Sequence, residues 1–358
     1  MGGDIMLSTD EALWFMDERM HHHHIPGVSV ALLSGGRMQW VKAWGQADSR
    51  TKAPLTEQHL LYACSMTKFI TALTTVALAQ AGKVDLDEDV SRLLKSWQLP
   101  LGSSSPTLRQ LLGHQGGIID GEDCFLPLED GQKVPALTEI LAGSSPVNTK
   151  ALTVERPPGS TFAYSDNGYC LVQQVLEDVT AKSLASLVQE YVFAPLGFGA
   201  SFLEQPLSRE RHHYASSGHN PHGSVIAGKF PVYPFLASAG LWCAAEEYAL
   251  AVNELYNALQ GRGKILSTDS AKAMIIPDNV DCIGLGNFSG GSGEDRHIYH
   301  LGWGEGFQCA FVAWPWLGNG VVVMTNSQPG VPQDQSLVGA IIKALAQEYD
   351  WGSVSWLP

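Results

Sequence analysis

The order of elements along the 358 residues predicts an α+β fold, with a helix and hairpin first, a mainly helical middle, then a strand meander and a closing helix. Three observations carry this. Val28–Leu33 and Met38–Trp44 are strand-like runs joined through Ser34-Gly35-Gly36, the composition of a tight hairpin turn. Ile298–Leu301, Gln308–Trp314 and Gly320–Thr325 form a second strand set, with Leu317-Gly318-Asn319-Gly320 as the turn between the last two. Between these sets runs a long apolar segment from Ala63 to Ala81, stopped by Gly82. The simplest packing joins the strands of both ends into one antiparallel sheet flanked by N- and C-terminal helices. Residues 1–60 and 240–358 would then form the sheet domain, and residues 61–239 a mainly helical lobe.

In chain order, Ser8-Thr9-Asp10-Glu11 has the form of a capping box, and an amphipathic helix is expected to follow it to about His24. His21–His24, with Asp17 and Glu18 one turn earlier, could bind a metal or simply end a solvated helix. Asp85–Trp97 reads as a short charged helix, and Thr107–His114 as another that Gly116-Gly117 ends. Pro157-Pro158-Gly159 leads through a turn into helices over Cys170–Val179 and Leu184–Phe193. Residues 206–234 lack a clear period and read as a long surface loop near a pocket. Helices are expected again over Ala245–Leu259 and Gln335–Tyr349.

Composition narrows the functional classes. A net charge of −14 repels phosphate backbones, which argues against nucleic acid as a partner. Hydrophobic residues at 45% and charged residues at 16% describe a globular chain. No apolar run is long enough to cross a membrane or to form a signal-peptide core, so the expectation is a cytoplasmic protein, or an exported one if a leader has been removed. Cys64, Cys124, Cys170, Cys243, Cys282 and Cys309 lack C-x-x-C spacing, which predicts reduced thiols and neither zinc nor a disulfide framework. No cofactor is expected.

Chemistry concentrates at Ala63-Cys64-Ser65-Met66-Thr67-Lys68. Lys68 is the only Lys, Arg, Asp or Glu between Glu57 and Lys83. Met66, Phe69, Ile70, Leu73, Val76 and Ala77 share one face, so the lysine belongs to a largely buried helix and needs a partner. Burial alone would lower its pKa towards that of a usable base. Ser65 stands three residues earlier on the same helical face, within reach. A serine hydroxyl becomes nucleophilic when a neighbour takes its proton, so the pair suits acyl transfer. Taken alone, S-x-x-K serves equally as a helix cap followed by a snorkelling lysine. Cys64 reads as a small buried hydrophobe beside the candidate nucleophile.

Two further passages accompany the pair: Tyr164-Ser165-Asp166 on a turn before a helix, and Tyr299-His300-Leu301-Gly302-Trp303 on a predicted strand. With Ile25-Pro26-Gly27-Val28, Leu111-Leu112-Gly113-His114, Pro195-Leu196-Gly197 and Ala239-Gly240-Leu241-Trp242, they make the sequence resemble the serine beta-lactamase and penicillin-binding-protein superfamily. The similarity is to the branch holding AmpC-type beta-lactamases, D-aminopeptidases, D,D-carboxypeptidases and lactamase-fold esterases. That resemblance implies a beta-lactamase/transpeptidase-like fold, with Ser65 as acylated nucleophile, Lys68 as its activator and Tyr164 as proton shuttle. It also implies His300 as the third catalytic motif, where many lactamases carry Lys-Thr-Gly. The backbone N–H groups of Ser65 and Trp303 would form the oxyanion hole, with Asp166, Leu301, Gly302 and Glu305 at the substrate. Gly302 would keep the strand edge clear, and His114 and Glu305 are further candidates that suit structural or rim roles. The implied substrate is a small ester, amide or D-amino-acid peptide; a penicillin- or peptide-recognising module without turnover is the non-enzyme alternative. Two departures matter. Asp166 stands where Tyr-x-Asn is commonest, and His300 removes a permanent positive charge. Both weaken the case for an efficient beta-lactamase.

Overall fold

The computed structural model describes residues 15–100, 104–278, 280, 282–352 and 354. The expected Ser8–Glu11 capping box lies outside the described residues. Helix α1 (Met16–His22) leads into strand β1 (Gly27–Ser34), which turns back through Gly35 and Gly36 into β2 (Arg37–Asp48). Both glycines have positive φ, +57° and +74°, as a two-residue hairpin turn requires. The short strands β3 (Ala53–Pro54) and β4 (Leu61–Tyr62) follow, and β4 pairs with β6 (Leu241–Cys243), itself beside β5 (Phe202–Leu203), in a separate three-stranded sheet. A 3₁₀ turn, Cys64–Met66, then opens helix α2 (Thr67–Gln80).

Strands from the two ends of the chain form one antiparallel seven-stranded sheet. Its order is β3-β2-β1-β10-β9-β8-β7, where β7 is Phe288–Gly290, β8 His297–Gly304, β9 Phe307–Trp314 and β10 Asn319–Thr325. The seam pairs Val28 with Thr325 and Leu33 with Gly320. β1 is apolar at nearly every position because both of its faces are covered. Val28, Val30 and Leu32 join a cluster with α1 and the C-terminal helix Leu337–Glu348, whereas Ala31 and Leu33 face the main core. That main core holds α2, the helix Ala245–Leu259 and the buried apolar residues between Leu108 and Leu196.

Two expectations differ in detail. Asp85–Trp97 is not a helix but a chain of turns with a single 3₁₀ turn, Val90–Arg92. The Asp85 and Asp89 carboxylates take backbone N–H groups two residues ahead, Asp87 at 2.9 Å and Ser91 at 2.8 Å, and so compete with helical bonding. The expected helix Leu184–Phe193 is α-helical over Leu184–Val188 and then widens into a π-helical turn at Gln189–Phe193. Pro195 follows directly and has no N–H to give the preceding turn.

Candidate active site

Helix α2 is buried almost all round, and its threonines are each hydrogen-bonded. Thr67 Oγ1 donates to the Cys64 carbonyl and Thr71 Oγ1 to the Ala237 carbonyl, both at 2.6 Å, while Thr74 and Thr75 bond carbonyls one turn back. At the head of the helix Cys64 has φ +48°, a conformation rare for a residue with a side chain. The kink sets Ser65 at the surface of the core. Lys68 is fully buried and points back at it, with Nζ donating to Ser65 Oγ at 3.2 Å.

The lysine's remaining bonds run to Asp166 Oδ1 at 2.6 Å and to the Ser238 carbonyl at 3.2 Å. Its Nζ also lies 4.8 Å from the Tyr164 ring centre and 5.6 Å from that of Tyr169. Burial by itself lowers the lysine pKa, but the Asp166 carboxylate and the Tyr164 phenol outweigh it and hold the group above its ordinary value. Lys68 therefore rests as an ammonium, not as the free amine that burial alone suggests. Tyr164 lies close enough to Ser65 and Lys68 for both to favour its phenolate, against burial and the Asp166 charge; the net shift is upward.

Asp166 starts the helix Asp166–Thr180, but the capping belongs to Ser165, whose Oγ accepts from Gly168 N at 2.9 Å. The Asp166 side chain is thus free to turn towards Lys68. His114 braces the same turn. Its ring stacks on Tyr164 at 4.3 Å, its Nδ1 accepts the Ser165 N–H at 3.1 Å, and burial with Lys68 nearby holds it neutral, well below its ordinary pKa. One residue escaped the sequence reading: Asp120 accepts from Ser165 Oγ at 2.9 Å and from Asp166 N at 2.6 Å. No periodicity marks it. It stands in an irregular loop, and only tertiary folding brings it to the turn.

β8 passes alongside the Cys64–Met66 turn and alternates its side chains across the sheet. His300 and Gly302 fall on the side of the main core with Ile298, while Leu301 packs against the opposite cluster with Tyr299. Leu301 therefore turns its side chain away from Ser65. Gly302 is needed for a different reason than a clear strand edge. A Cβ there would stand 2.3 Å from Cys309 Sγ and 2.6 Å from the Ala63 carbonyl, so β9 and the chain entering the Cys64–Met66 turn fill the space. His300 is buried. Its Nδ1–H donates to the Leu301 carbonyl at 2.8 Å, and burial together with Lys68 brings its pKa down to about 3. It is a neutral imidazole with an accepting Nε2.

Trp303 is 41% exposed, and Glu305 gives its backbone N–H to Tyr233 Oη at 2.9 Å. Both line an open cavity of about 910 Å³ with Leu126, Phe230 and Tyr233, bordered also by Glu129 and Asp130. Cys64 is buried, its thiol pushed well above its usual pKa by burial, which makes it unsuited to nucleophilic attack. Among the described residues no group of three or more His, Cys, Asp or Glu side chains is placed to hold a metal ion, the His21–His24 tract included, and no helix is long and apolar enough to cross a membrane.

Known proteins share this sequence and fold. Protein flp of Staphylococcus aureus (strain N315) is 23% identical over 337 residues, taking in 89% of this chain; the chain in turn spans 64% of that protein. A D-aminopeptidase of Cereibacter sphaeroides is 28% identical over 209 residues, 58% of this chain and 38% of the relative. The D-amino acid amidase of Ochrobactrum anthropi SV3, solved with D-phenylalanine, superimposes with a TM-score of 0.75 at 22% identity, covering 95% of this chain and 98% of the amidase. The family model described as beta-lactamase matches residues 15–346, and with Ser65, Lys68, Tyr164 and His300 gathered on one site, this chain belongs to the beta-lactamase family.

Proposed function

We propose that the protein is a serine hydrolase that cleaves small neutral or amine-bearing esters or amides through an acyl-enzyme on Ser65. The observation that carries this is the contact of Ser65 Oγ with buried Lys68 Nζ at 3.2 Å, beside a tyrosine that both groups touch. Lys68 is held as an ammonium, so it serves as a fixed positive charge and not as the final proton acceptor. Tyr164 passes the proton on: Ser65 Oγ attacks the carbonyl, its proton goes to Tyr164 Oη, and the Tyr164 proton goes to the leaving oxygen or nitrogen. Lys68 stabilises the phenolate character that develops during the transfer. Water then attacks the acyl-enzyme along the reverse path, returning a proton to Ser65. The backbone N–H groups of Ser65 and Trp303 are the proposed oxyanion donors.

Charge sets the substrate class. The ammonium of Lys68 is already paired with Asp166, and His300 is neutral, so neither offers a free cation to a substrate carboxylate. A second reading, hydrolysis of D-amino-acid amides or peptides, is favoured by the same feature, because an α-ammonium suits a site with a carboxylate and an accepting imidazole. The similarity to a D-aminopeptidase and a D-amino acid amidase supports it. The test compares turnover of p-nitrophenyl acetate, D- and L-alanine p-nitroanilide, and benzylpenicillin. Faster cleavage of the first three than of penicillin supports the proposal, and preference for the D-anilide selects the second reading. Efficient penicillin hydrolysis with no ester or anilide turnover overturns both.

A further inference from the structure

Asp120 is a carboxylate at the Tyr164-Ser165-Asp166 turn to which the sequence reading assigns nothing. Its two oxygens are both acceptors. Oδ1 takes the Ser165 hydroxyl at 2.9 Å and Oδ2 the Asp166 N–H at 2.6 Å, with the Asn167 N–H also directed at the carboxylate. With Asp120 ionised the first bond runs from the Ser165 hydroxyl to the carboxylate, which can only accept, while Ser165 Oγ itself accepts from Gly168 N. Those donors are the opening turn of the helix that carries Asp166, and a carboxylate is matched to free N–H groups at that end. We infer that Asp120 is a positioning residue that locks the Tyr164-Ser165-Asp166 turn onto Lys68, assembling the site when ionised and loosening it when protonated. The inference rests on the proposed Ser65 chemistry for its readout in turnover.

The physical reason is donor matching. The carboxylate accepts at both oxygens with its charge behind the bonds, whereas the acid form gives one oxygen a proton and strips the charge from both, so the hold on the turn weakens and the turn is free to shift. The shift is transmitted directly, since Asp166 supplies both the N–H held by Asp120 and the carboxylate 2.6 Å from Lys68. Burial and the adjacent Asp166 charge push Asp120 up to about 6. The groups around it stay fixed near that pH. Lys68, Tyr164 and Cys170 are held above their ordinary values, His114 and His300 below theirs, and on the neighbouring loop Lys150 pairs with Glu155 at 2.6 Å, keeping that carboxylate low. Asp120 is therefore the member of this cluster whose charge changes near pH 6.

The experiment is the pH profile of kcat/KM on p-nitrophenyl acetate for the wild type, Asp120→Asn and Ser165→Ala, with Tm measured on the same samples. The wild type is expected to lose activity tenfold per pH unit below about 6. Asp120→Asn, which places an amide donor where the acid places its hydroxyl, should be low and flat from pH 5 to 7 while still folded. Ser165→Ala removes a bond that favours ionised Asp120, so its acid limb should move to higher pH; it serves if Asp120→Asn fails to fold. Tm supplies a readout independent of turnover. Asp120 ionises at higher pH in the folded than in the unfolded chain, so the wild type should lose stability relative to Asp120→Asn as pH rises from 4 through 6. An acid limb that persists unchanged in Asp120→Asn, or does not move in Ser165→Ala, overturns the inference while leaving the hydrolase reading intact. If turnover does not depend on Ser65, the proposed function fails instead, and a Tm difference that is flat with pH overturns the inference by itself.

Discussion

Replacing Asp166 with asparagine removes the countercharge of a fully buried lysine and leaves its volume almost unchanged. At 2.6 Å, with the effective dielectric of about 20 that suits protein sites, the lost attraction is on the order of 6 kcal/mol. The asparagine carbonyl still accepts a hydrogen bond and Asp166 is partly solvated, so a net cost of about 3 kcal/mol for breaking such a pair is the better figure. Since one pKa unit is worth about 1.4 kcal/mol, the Lys68 pKa should fall by ~2 units, most of the way back to its ordinary value. Wild-type Lys68 has a raised folded pKa, so its contribution to stability is complete below the unfolded value of about 10.5 and lost only as pH climbs through the higher folded one. In Asp166→Asn the folded value lies nearer the unfolded one, so that contribution shrinks and is lost over a narrower span of pH. The assay is kcat/KM against pH on a neutral ester and on benzylpenicillin, with Tm at pH 7 and 10. The fall of kcat/KM at high pH, where Lys68 loses its proton, should shift to lower pH, and activity on the carboxylate-bearing penicillin should improve relative to the ester. An unchanged pH profile together with an unchanged substrate ratio refutes the electrostatic argument and leaves Asp166 a structural residue.

Lys68→Ala, Tyr164→Phe and the double mutant should each lose a similar factor in kcat, because groups that move one proton as a unit are strongly non-additive; losses that multiply in the double mutant contradict the shared relay. Gly302→Ala should lower both Tm and kcat, since its methyl meets the Ala63 carbonyl at 2.6 Å and backbone cannot step aside; wild-type behaviour would show that the nucleophile turn is not packed as described. His300 is buried neutral, its folded pKa lowered to about 3, so it contributes stability above pH 6.5 that is lost as pH falls towards 3. His300→Gln should accordingly show a smaller drop of Tm between pH 6.5 and 4 than the wild type, and an equal drop would place the acid sensitivity elsewhere.

Much of this architecture was legible in local pattern. The hairpin followed from Gly35-Gly36 between two β-branched runs, and the Ala245–Leu259 helix from its periodicity, with the observed bounds the same. Asp85–Trp97 misled because its acidic residues suit a helix surface by charge but take turns by side-chain bonding to their own backbone. At the site, Ser65 and Lys68 could be paired from spacing, since helical geometry brings positions three apart together. Groups from distant chain could not be placed that way: the Ser238 carbonyl that Lys68 bonds lies 170 positions on, and Asp120 reaches the Ser165 turn from 45 positions before it. The direction of the lysine shift depends on the carboxylate beside it, and it was the family resemblance at Asp166, not burial or spacing, that pointed to one. Gly302 shows the same limit, its necessity arising from Cys309 and Ala63, which only the sheet register brings near.

The central claim is that Ser65 forms the covalent bond. It is tested most directly by intact-mass measurement after incubation with a fluorophosphonate, comparing the wild type with folded Ser65→Ala. The account predicts a single phosphonyl adduct on the wild type, located at Ser65 by peptide mapping, and none on the variant; undiminished labelling of folded Ser65→Ala would contradict it.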